Sequence, residues 1–361
     1  MYKSMKILII VRCLTMKNKM DFTLRLNELC PELKNIEIQK SLILTLGSFN
    51  IRVHLNTSDS KCLDFFSDWK EADENTDFDY EVFLIDKDTS TLENFKLDSN
   101  YRTKRFKEGY YITDHFGKAI FIRRKDNIFC FIGENLQNIF WPYFIKYILT
   151  NYSIRNNCLH LKGSSFEINN VGGLLIGRGG GGKTVLLKTI CDYKGNFISN
   201  THNLVKDNYL TGIKSNIRIR SNELFADYLN SGNCTKAIKA GDYNIDPKKV
   251  FKSSDKDTVK LKYIFIVNSR KDGGYLLEKI SPKDMFNYMQ QFSLAINVYG
   301  LKEDIIDDCD GNSSSFSNII KNNNDMLYTL AQNCECYYVN IDSFIPENKN
   351  KFLNFINTIF V

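Results

Sequence analysis

The chain has 361 residues, 43% hydrophobic and 25% charged, which excludes intrinsic disorder as its default and leaves room for two domains of about 150 residues each. Its net charge of +6 comes from lysines spread along the whole chain, without a basic arm or a run of five like charges. No zinc-finger, helix-turn-helix or RRM signature accompanies that charge, which argues against nucleic acid as a partner.

Near the N-terminus the apolar run Ile7 to Val11 ends at Arg12, too short for a signal segment or a membrane span. No later stretch approaches about 18 uncharged apolar residues, so the sequence predicts a soluble, cytoplasmic protein without a membrane partner. Met1, Met5, Met16 and Met20 leave the start of translation open. The ten cysteines form no C-x-x-C pair and fit a reducing compartment. Only Cys334 and Cys336 lie close, and on a strand that spacing turns both thiols to one face as small core residues.

From Asp21 to Asn151 short aromatic-rich segments predict strands at Ile51 to Leu55, Tyr80 to Ile85, Gly109 to Ile112, Lys118 to Ile122 and Asn127 to Ile132. The last three are separated by Asp114 to Gly117 and Arg124 to Asp126 and read as an antiparallel meander. Bulky residues at helical spacing from Trp141 to Leu149 predict a helix packed on the second domain. The boundary is placed at residue 152, giving a β-rich N-terminal domain over 1–152 and a second domain over 153–361. In the second, strands are expected at Leu159 to Leu161, Phe166 to Ile168, Gly173 to Ile176 and Asn196 to Ser199, with a turn at Asn169-Asn170. The Asp-, Ser- and Asn-rich segment Asp307 to Asn324 is expected to be a mobile surface loop.

The most specific feature is Gly177-Arg178-Gly179-Gly180-Gly181-Gly182-Lys183-Thr184, a complete G-x-x-x-x-G-K-[ST] phosphate-binding loop. An apolar strand, Gly173 to Ile176, leads into it and an apolar helix, Val185 to Ile190, leads out, which is the context the motif requires. A bent glycine-rich backbone turns successive N–H groups toward phosphate oxygens, and the helix N-terminus adds its positive dipole. Lys183 would reach the β and γ phosphates and Thr184 would ligate Mg²⁺, so ATP or GTP with Mg²⁺ is the expected ligand. Arg178, inside the loop, is a further candidate for a phosphate contact.

The segment Leu159-His160-Leu161-Lys162-Gly163-Ser164-Ser165-Phe166, followed by the loop and by Gly195-Asn196-Phe197-Ile198-Ser199, resembles the catalytic domain of HPr kinase/phosphorylase and its peptide-modifying relatives. Tyr263 to Asn268, Lys279-Ile280-Ser281-Pro282 and Tyr337 to Asn340 extend the likeness more loosely over residues 155 to 361. It implies an α/β fold: an HPr kinase/PEP carboxykinase-like P-loop catalytic domain, here preceded by a smaller β-rich α+β domain that would recruit substrate. It also implies oligomers. Carried over, Gly177, Gly179, Gly180, Gly181, Gly182, Lys183 and Thr184 would hold the nucleotide, and His160 would lie near the reacting phosphoryl.

One departure stands out: where the family ends a strand with adjacent aspartates, this chain has Ser199-Asn200-Thr201-His202. A neutral His202 would serve as base, and Asn200 and Thr201 would orient metal-bound water, but no carboxylate remains there to neutralise Mg²⁺. Asp207, five residues on, and Asp242 are candidate substitutes, and both read more readily as turn residues. Arg218 and Arg220 alternate so that both guanidinium groups share one strand face, suited to a phosphate or a substrate carboxylate. The expected activity is a kinase moving the γ-phosphoryl of ATP or GTP to a hydroxyl of a peptide or small molecule. The alternatives are a nucleotide-binding regulator that has lost transfer, and a ligase that activates a carboxylate.

Overall fold

Apolar residues at every second position set the strands of the N-terminal half. In β2 (Phe49–Leu55), which pairs antiparallel with β1 (Lys40–Leu46), Phe49, Ile51, Val53 and Leu55 are buried. The computed structural model describes residues 22–33, 35–59, 65–66, 69–72, 76–88, 103–106, 109–112, 120–134, 136, 140–220, 225–232, 234–236, 242–252, 258–269, 272–293 and 313–361. The run Ile7 to Val11, the turn Asp114 to Gly117 and the residues Cys13, Cys62 and Cys309 lie outside them. The chain divides into two compact units, Met1–Trp141 and Pro142–Val361. The helix that follows Trp141 therefore opens the second unit, and the division falls before it instead of at residue 152.

The first unit carries β3 (Trp69–Glu71), β4 (Tyr80–Asp86), β5 (Thr103–Phe106), β6 (Gly109–Ile112), β7 (Ile120–Lys125) and β8 (Ile128–Gly133) beside β1 and β2. Their order in one sheet is β3-β1-β2-β4-β8-β7-β6-β5. Antiparallel pairing of β6, β7 and β8 makes the meander, but β4 pairs parallel with both β2 and β8, so the sheet is mixed. The cause is visible in β4, whose residues Tyr80 to Ile85 are all buried, as a strand covered on both faces requires. Leu26, Leu29 and Leu33 pack on Phe83, Ile85, Cys130 and Ile132.

Beneath them Ser41 Oγ lies 2.7 Å from His54 Nδ1, and His54 Nε2 lies 3.0 Å from Glu81 Oε1. Arg25 closes the chain on Glu81 at 2.8 and 2.9 Å. Phe22 and Phe83 both stack on the His54 ring, so this Ser-His-Glu arrangement is tied into the packing of the first unit.

The second unit is a three-layer α/β structure. Helix α1 (Lys146–Arg155) follows a π-helical turn over Phe140–Ile145, where Pro142 has no N–H to give to a regular α-helix. Then come β9 (Leu159–Lys162), β10 (Ser164–Ile168), β11 (Val171–Ile176), α2 (Lys183–Tyr193), β12 (Asn196–Ser199), β13 (His202–Lys206) and β14 (Tyr209–Ile213). A small three-stranded sheet comes next: β15 (Ile217–Arg220), β16 (Cys234–Lys236) and β17 (Asp242–Ile245), with α3 (Ala226–Asn230) between its first two strands. The chain ends with β18 (Thr258–Ser269), β19 (Tyr275–Lys279), α4 (Pro282–Met289), α5 (Ser313–Asn333), β20 (Glu335–Ile341) and α6 (Pro346–Ile359).

The main sheet runs β12-β10-β11-β18-β14-β13-β9, and β20 pairs parallel with β18 from Tyr263 to Ser269. β18 also pairs parallel with β11, and antiparallel at its start with β14. Strand alternation splits the core between the faces. Leu175, Phe265 and Val267 pack with Leu186, Leu187 and Ile190 of α2 and Phe352 and Ile356 of α6. Leu174, Ile176, Ile264 and Ile266 pack with Met285 and Met289 of α4 and Leu327 and Leu330 of α5. Cys334 and Cys336 both sit buried in this second cluster, as core residues, although Cys334 precedes β20 and only Cys336 is on the strand.

The segment expected to be a surface loop differs. Ser313 to Asn324 belongs to α5, and the rest of the segment, 307–312, lies outside the described residues. Its asparagines and serines disfavour a helix, but Asn323, Leu327, Leu330 and Ala331 form a buried stripe against the sheet, and packing overrides propensity.

Gly173 shows how tightly β10 and β11 are matched: a Cβ there would overlap the Phe166 ring opposite it. Gly173→Ala is expected to destabilise the second unit by about 1–3 kcal/mol through overpacking, read as a lower denaturant midpoint with an unchanged slope.

Candidate functional site

The loop from Gly177 to Gly182 leaves the carboxyl end of β11 and folds against the end of its parallel neighbour β18. A Cβ on Gly177 would collide with the Val267 carbonyl oxygen, and one on Gly182 would stand 2.7 Å from Ser269 Cβ. Gly182 has φ of 90° and precedes α2, whose first turn receives no side-chain cap. Gly179 and Gly180, by contrast, would meet nothing within 4 Å, so the open side of the loop is the side away from β18. The arrangement places a helix N-terminus and a glycine-rich turn at the carboxyl ends of two parallel strands, where α/β sheets take their ligands.

Helix α2 is fixed at both ends. Leu186, Leu187 and Ile190 bury one face, and the Gly195 and Lys194 amides return to the Ile190 carbonyl at 2.9 and 3.1 Å to close the last turn. At the first turn, Lys183 folds back on its own loop and donates to the Gly177 and Arg178 carbonyls at 2.7 and 2.9 Å. Burial and the charge of Lys162 push its ammonium down to about 8. Arg178 is exposed to solvent.

Thr184 Oγ1 donates to Asn200 Oδ1 at 3.3 Å, which brings together two of the three residues expected at a metal. The Ser199 to His202 turn is held from beneath by residues that sequence reading missed. Ser164 Oγ donates to the Asn200 carbonyl at 2.7 Å, and the Gly163 amide to the Thr201 carbonyl at 2.9 Å. Asn203, fully buried, accepts from Ser165 at 2.6 Å and Ser199 at 2.8 Å and donates to the Gly163 carbonyl at 2.9 Å. The signal for this network in the sequence was Ser164-Ser165 on a buried strand, where a buried hydroxyl demands a partner.

His160 and His202 are brought into contact: His160 Nε2 lies 2.8 Å from His202 Nδ1, and Thr150 of α1 lies 3.0 Å from His160 Nδ1. They are 1% and 0% exposed. Desolvation, aided by the Lys146 charge, drives His160 down to about 3, and the same burial with the neighbouring cations drives His202 well below its ordinary value. Both rings are neutral.

Strand register puts Lys162 on the same face as this pair, because it stands opposite His202 and two residues beyond His160. Lys146 lies one turn before Thr150 on α1 and is buried at 7% exposure. Burial pulls both ammonium groups down, and each is pulled further by neighbouring positive charge: Lys162 and Arg218 act on Lys146, and Arg218 acts on Lys162. Arg218 is exposed on β15, where Ile217 and Ile219 turn to the core; the Arg220 side chain lies outside the described residues.

Of the two acids considered as substitutes, Asp207 does not stand where the missing aspartates would be. Asp207 has φ of 50° and forms, with Asn208, the tight turn between β13 and β14, so it sits at the strand end remote from Asn200. At about 3.3 Å per residue, the strand from His202 to Asp207 carries it roughly 16 Å away. Asp242 pairs by backbone with Arg220 in the small sheet, and its side chain lies outside the described residues. Among the described residues no group of three or more His, Cys, Asp or Glu side chains is arranged to hold a metal ion. The donor set at Thr184 and Asn200 is neutral and stands among cations, which does not fit a protein-held Mg²⁺.

No protein-family model matches the chain, and no curated protein matches it in sequence.

The neutral histidine pair makes the unit acid-labile. Unfolding restores an ordinary pKa near 6.5, so below that value the unfolded state binds protons first and stability falls as the pH drops toward about 3. His160→Gln is expected to flatten that fall by about 1.4 kcal/mol per pH unit between pH 6 and 4, measured by urea unfolding at a series of pH values.

Proposed function

We propose that the second unit binds a nucleoside triphosphate, ATP or GTP, on the loop Gly177 to Thr184 and moves its γ-phosphoryl to a hydroxyl of a peptide or small molecule. The observation that carries this reading is the loop itself: uncapped amides at the start of α2, a glycine backbone open on one side, and Lys183 at its base. When a triphosphate enters, the Lys183 ammonium exchanges the two loop carbonyls for phosphate oxygens, a stronger charge-assisted bond. Phosphoryl transfer asks a protein chiefly for positioning and charge stabilisation, which the loop amides and Lys183 would supply. The resemblance to HPr kinase/phosphorylase supports the same reading and, with it, a homo-oligomer. The substrate hydroxyl would approach beside Asn200 and Thr201, with Arg218 and Arg220 on β15 as further candidates to contact the substrate.

A second reading is favoured by one observation. His202, the candidate base, is wholly buried with its Nδ1 on His160, and no aspartate stands in its place. A nucleotide-binding regulator without transfer would have this site.

Wild-type protein is expected to gain thermal stability with ATP or GTP and to turn the nucleotide over, with phosphate appearing on an acceptor peptide by mass spectrometry. Lys183→Ala should lower nucleotide affinity by about ten- to hundredfold. Saturable binding without turnover selects the regulator, and absence of binding at millimolar nucleotide rejects both readings.

A further inference from the structure

The end of α1 and the first half of α5 flank a cavity of about 370 Å³ in the second unit. Ligand pockets run from about 300 to 1,000 Å³, so this one suits a single small metabolite. Every described residue that lines it is uncharged. The Cys158 thiol on its wall stays protonated, pushed up to about 11 by burial. Asn157, Asn318, Asn322 and Asn323 supply carboxamides, and Ile154, Ile319 and Met326 supply the apolar part.

Asn157 stands in the turn after α1 with φ of 49°, a left-handed conformation that asparagine tolerates. Its Oδ1 accepts from Asn322 Nδ2 at 3.2 Å, which ties the turn to α5, and Asn323 Nδ2 donates to Ser293 Oγ at 3.2 Å. These bonds leave the carbonyl oxygens of Asn322 and Asn323 as acceptors and the Asn157 NH₂ group as a donor. On α5, Ile319, Asn322, Asn323 and Met326 follow at three- and four-residue spacing and so share one side of the helix. Asparagine is a weak helix former, and Asn318 and Asn322 are exposed, so packing does not demand them there. The stretch that reads as a loop in the sequence is therefore the stretch that lines the cavity. A local rule broken without a gain in packing points to a use for the side chains.

We propose that this cavity binds an uncharged polyhydroxyl molecule, a monosaccharide or a cyclic polyol. A wall of carboxamides offers donors and acceptors side by side. A hydroxyl both donates and accepts and rotates to suit its partner, so a ring of hydroxyls satisfies such a wall, whereas a ligand with donors alone or acceptors alone leaves half of it unpaired. The C–H face of the ring packs on Ile154, Ile319 and Met326. A phosphorylated or carboxylated ligand would bring a charge to a wall that holds no counter-charge, at a cost in desolvation. The glycine loop contributes nothing to this cavity, and the proposal stands on observations independent of the nucleotide reading.

The test is saturation-transfer NMR of the full chain with D-glucose, D-ribose and myo-inositol at up to about 10 mM, beside glucose 6-phosphate and ribose 5-phosphate. At least one of the three neutral probes is expected to bind with a millimolar dissociation constant or tighter. Asn318→Ala and Asn322→Ala should each weaken that binding by about tenfold without lowering the urea midpoint, because alanine favours the helix. A purely structural role for the asparagines would give the opposite pair of results, unchanged binding with a lowered midpoint, and overturns the proposal. So does the absence of saturation transfer from all three neutral probes, or asparagine-dependent binding that favours a phosphorylated probe. Should one variant not fold, the other variant and the comparison of neutral with phosphorylated probes decide.

Discussion

The contact between the glycine loop and the end of β18 is the constraint on which the second unit's site depends. Gly177 lies against the Val267 carbonyl and Gly182 against Ser269 so closely that neither position accepts a side chain. That closeness sets where α2 begins, because the helix starts at the residue after Gly182. It sets the Thr184 to Asn200 contact as well, since Thr184 is the second residue of that helix and β12 returns directly from its end. β18 can support the loop because it is held along both edges, by β11 on one side and by β14 and then β20 on the other. A strand paired this way has no freedom to move away from the glycines.

The parts of this arrangement that were legible in the sequence are those governed by local rules. The loop declares itself by glycine spacing and by the apolar strand and helix on either side. The turn at Asn169-Asn170 is one that asparagine favours, with φ of 52° and 66°, and it fixes the register of β10 against β11. The helix at Ser313 to Asn333 was illegible for the opposite reason: its first half is composed like a loop, and the stripe that buries it is spaced over residues a loop reading divides. The parallel pairing of β4 with β2 and β8 was hidden too, since strand order depends on crossovers whose direction a single sequence does not encode.

Site residues divide along the same line. Lys183 and Thr184 are found by motif, and Asn200, Thr201 and His202 by the resemblance, as the stretch where the family has its adjacent aspartates. Asn203 is not, although it ties together β10, β12 and β13 through three hydrogen bonds and so holds the turn that carries them. Neither is Lys146, which lies 37 residues before Lys183 in the sequence and reaches this region only because α1 lays Thr150 on His160. The sequence suggested that lost acids were the whole departure from the resembling family. The structure adds that Lys162 stands opposite His202, the position of one of those acids in the resembling family.

The histidine pair and the lysines constrain each other. A protonated His160 or His202 would add charge to a region that already holds Lys146 and Lys162, so the imidazoles stay neutral and carry the polar link from α1 to β13 without charge. A carboxylate at Thr201 or His202 would pair with Lys162 and remove its charge from any incoming anion.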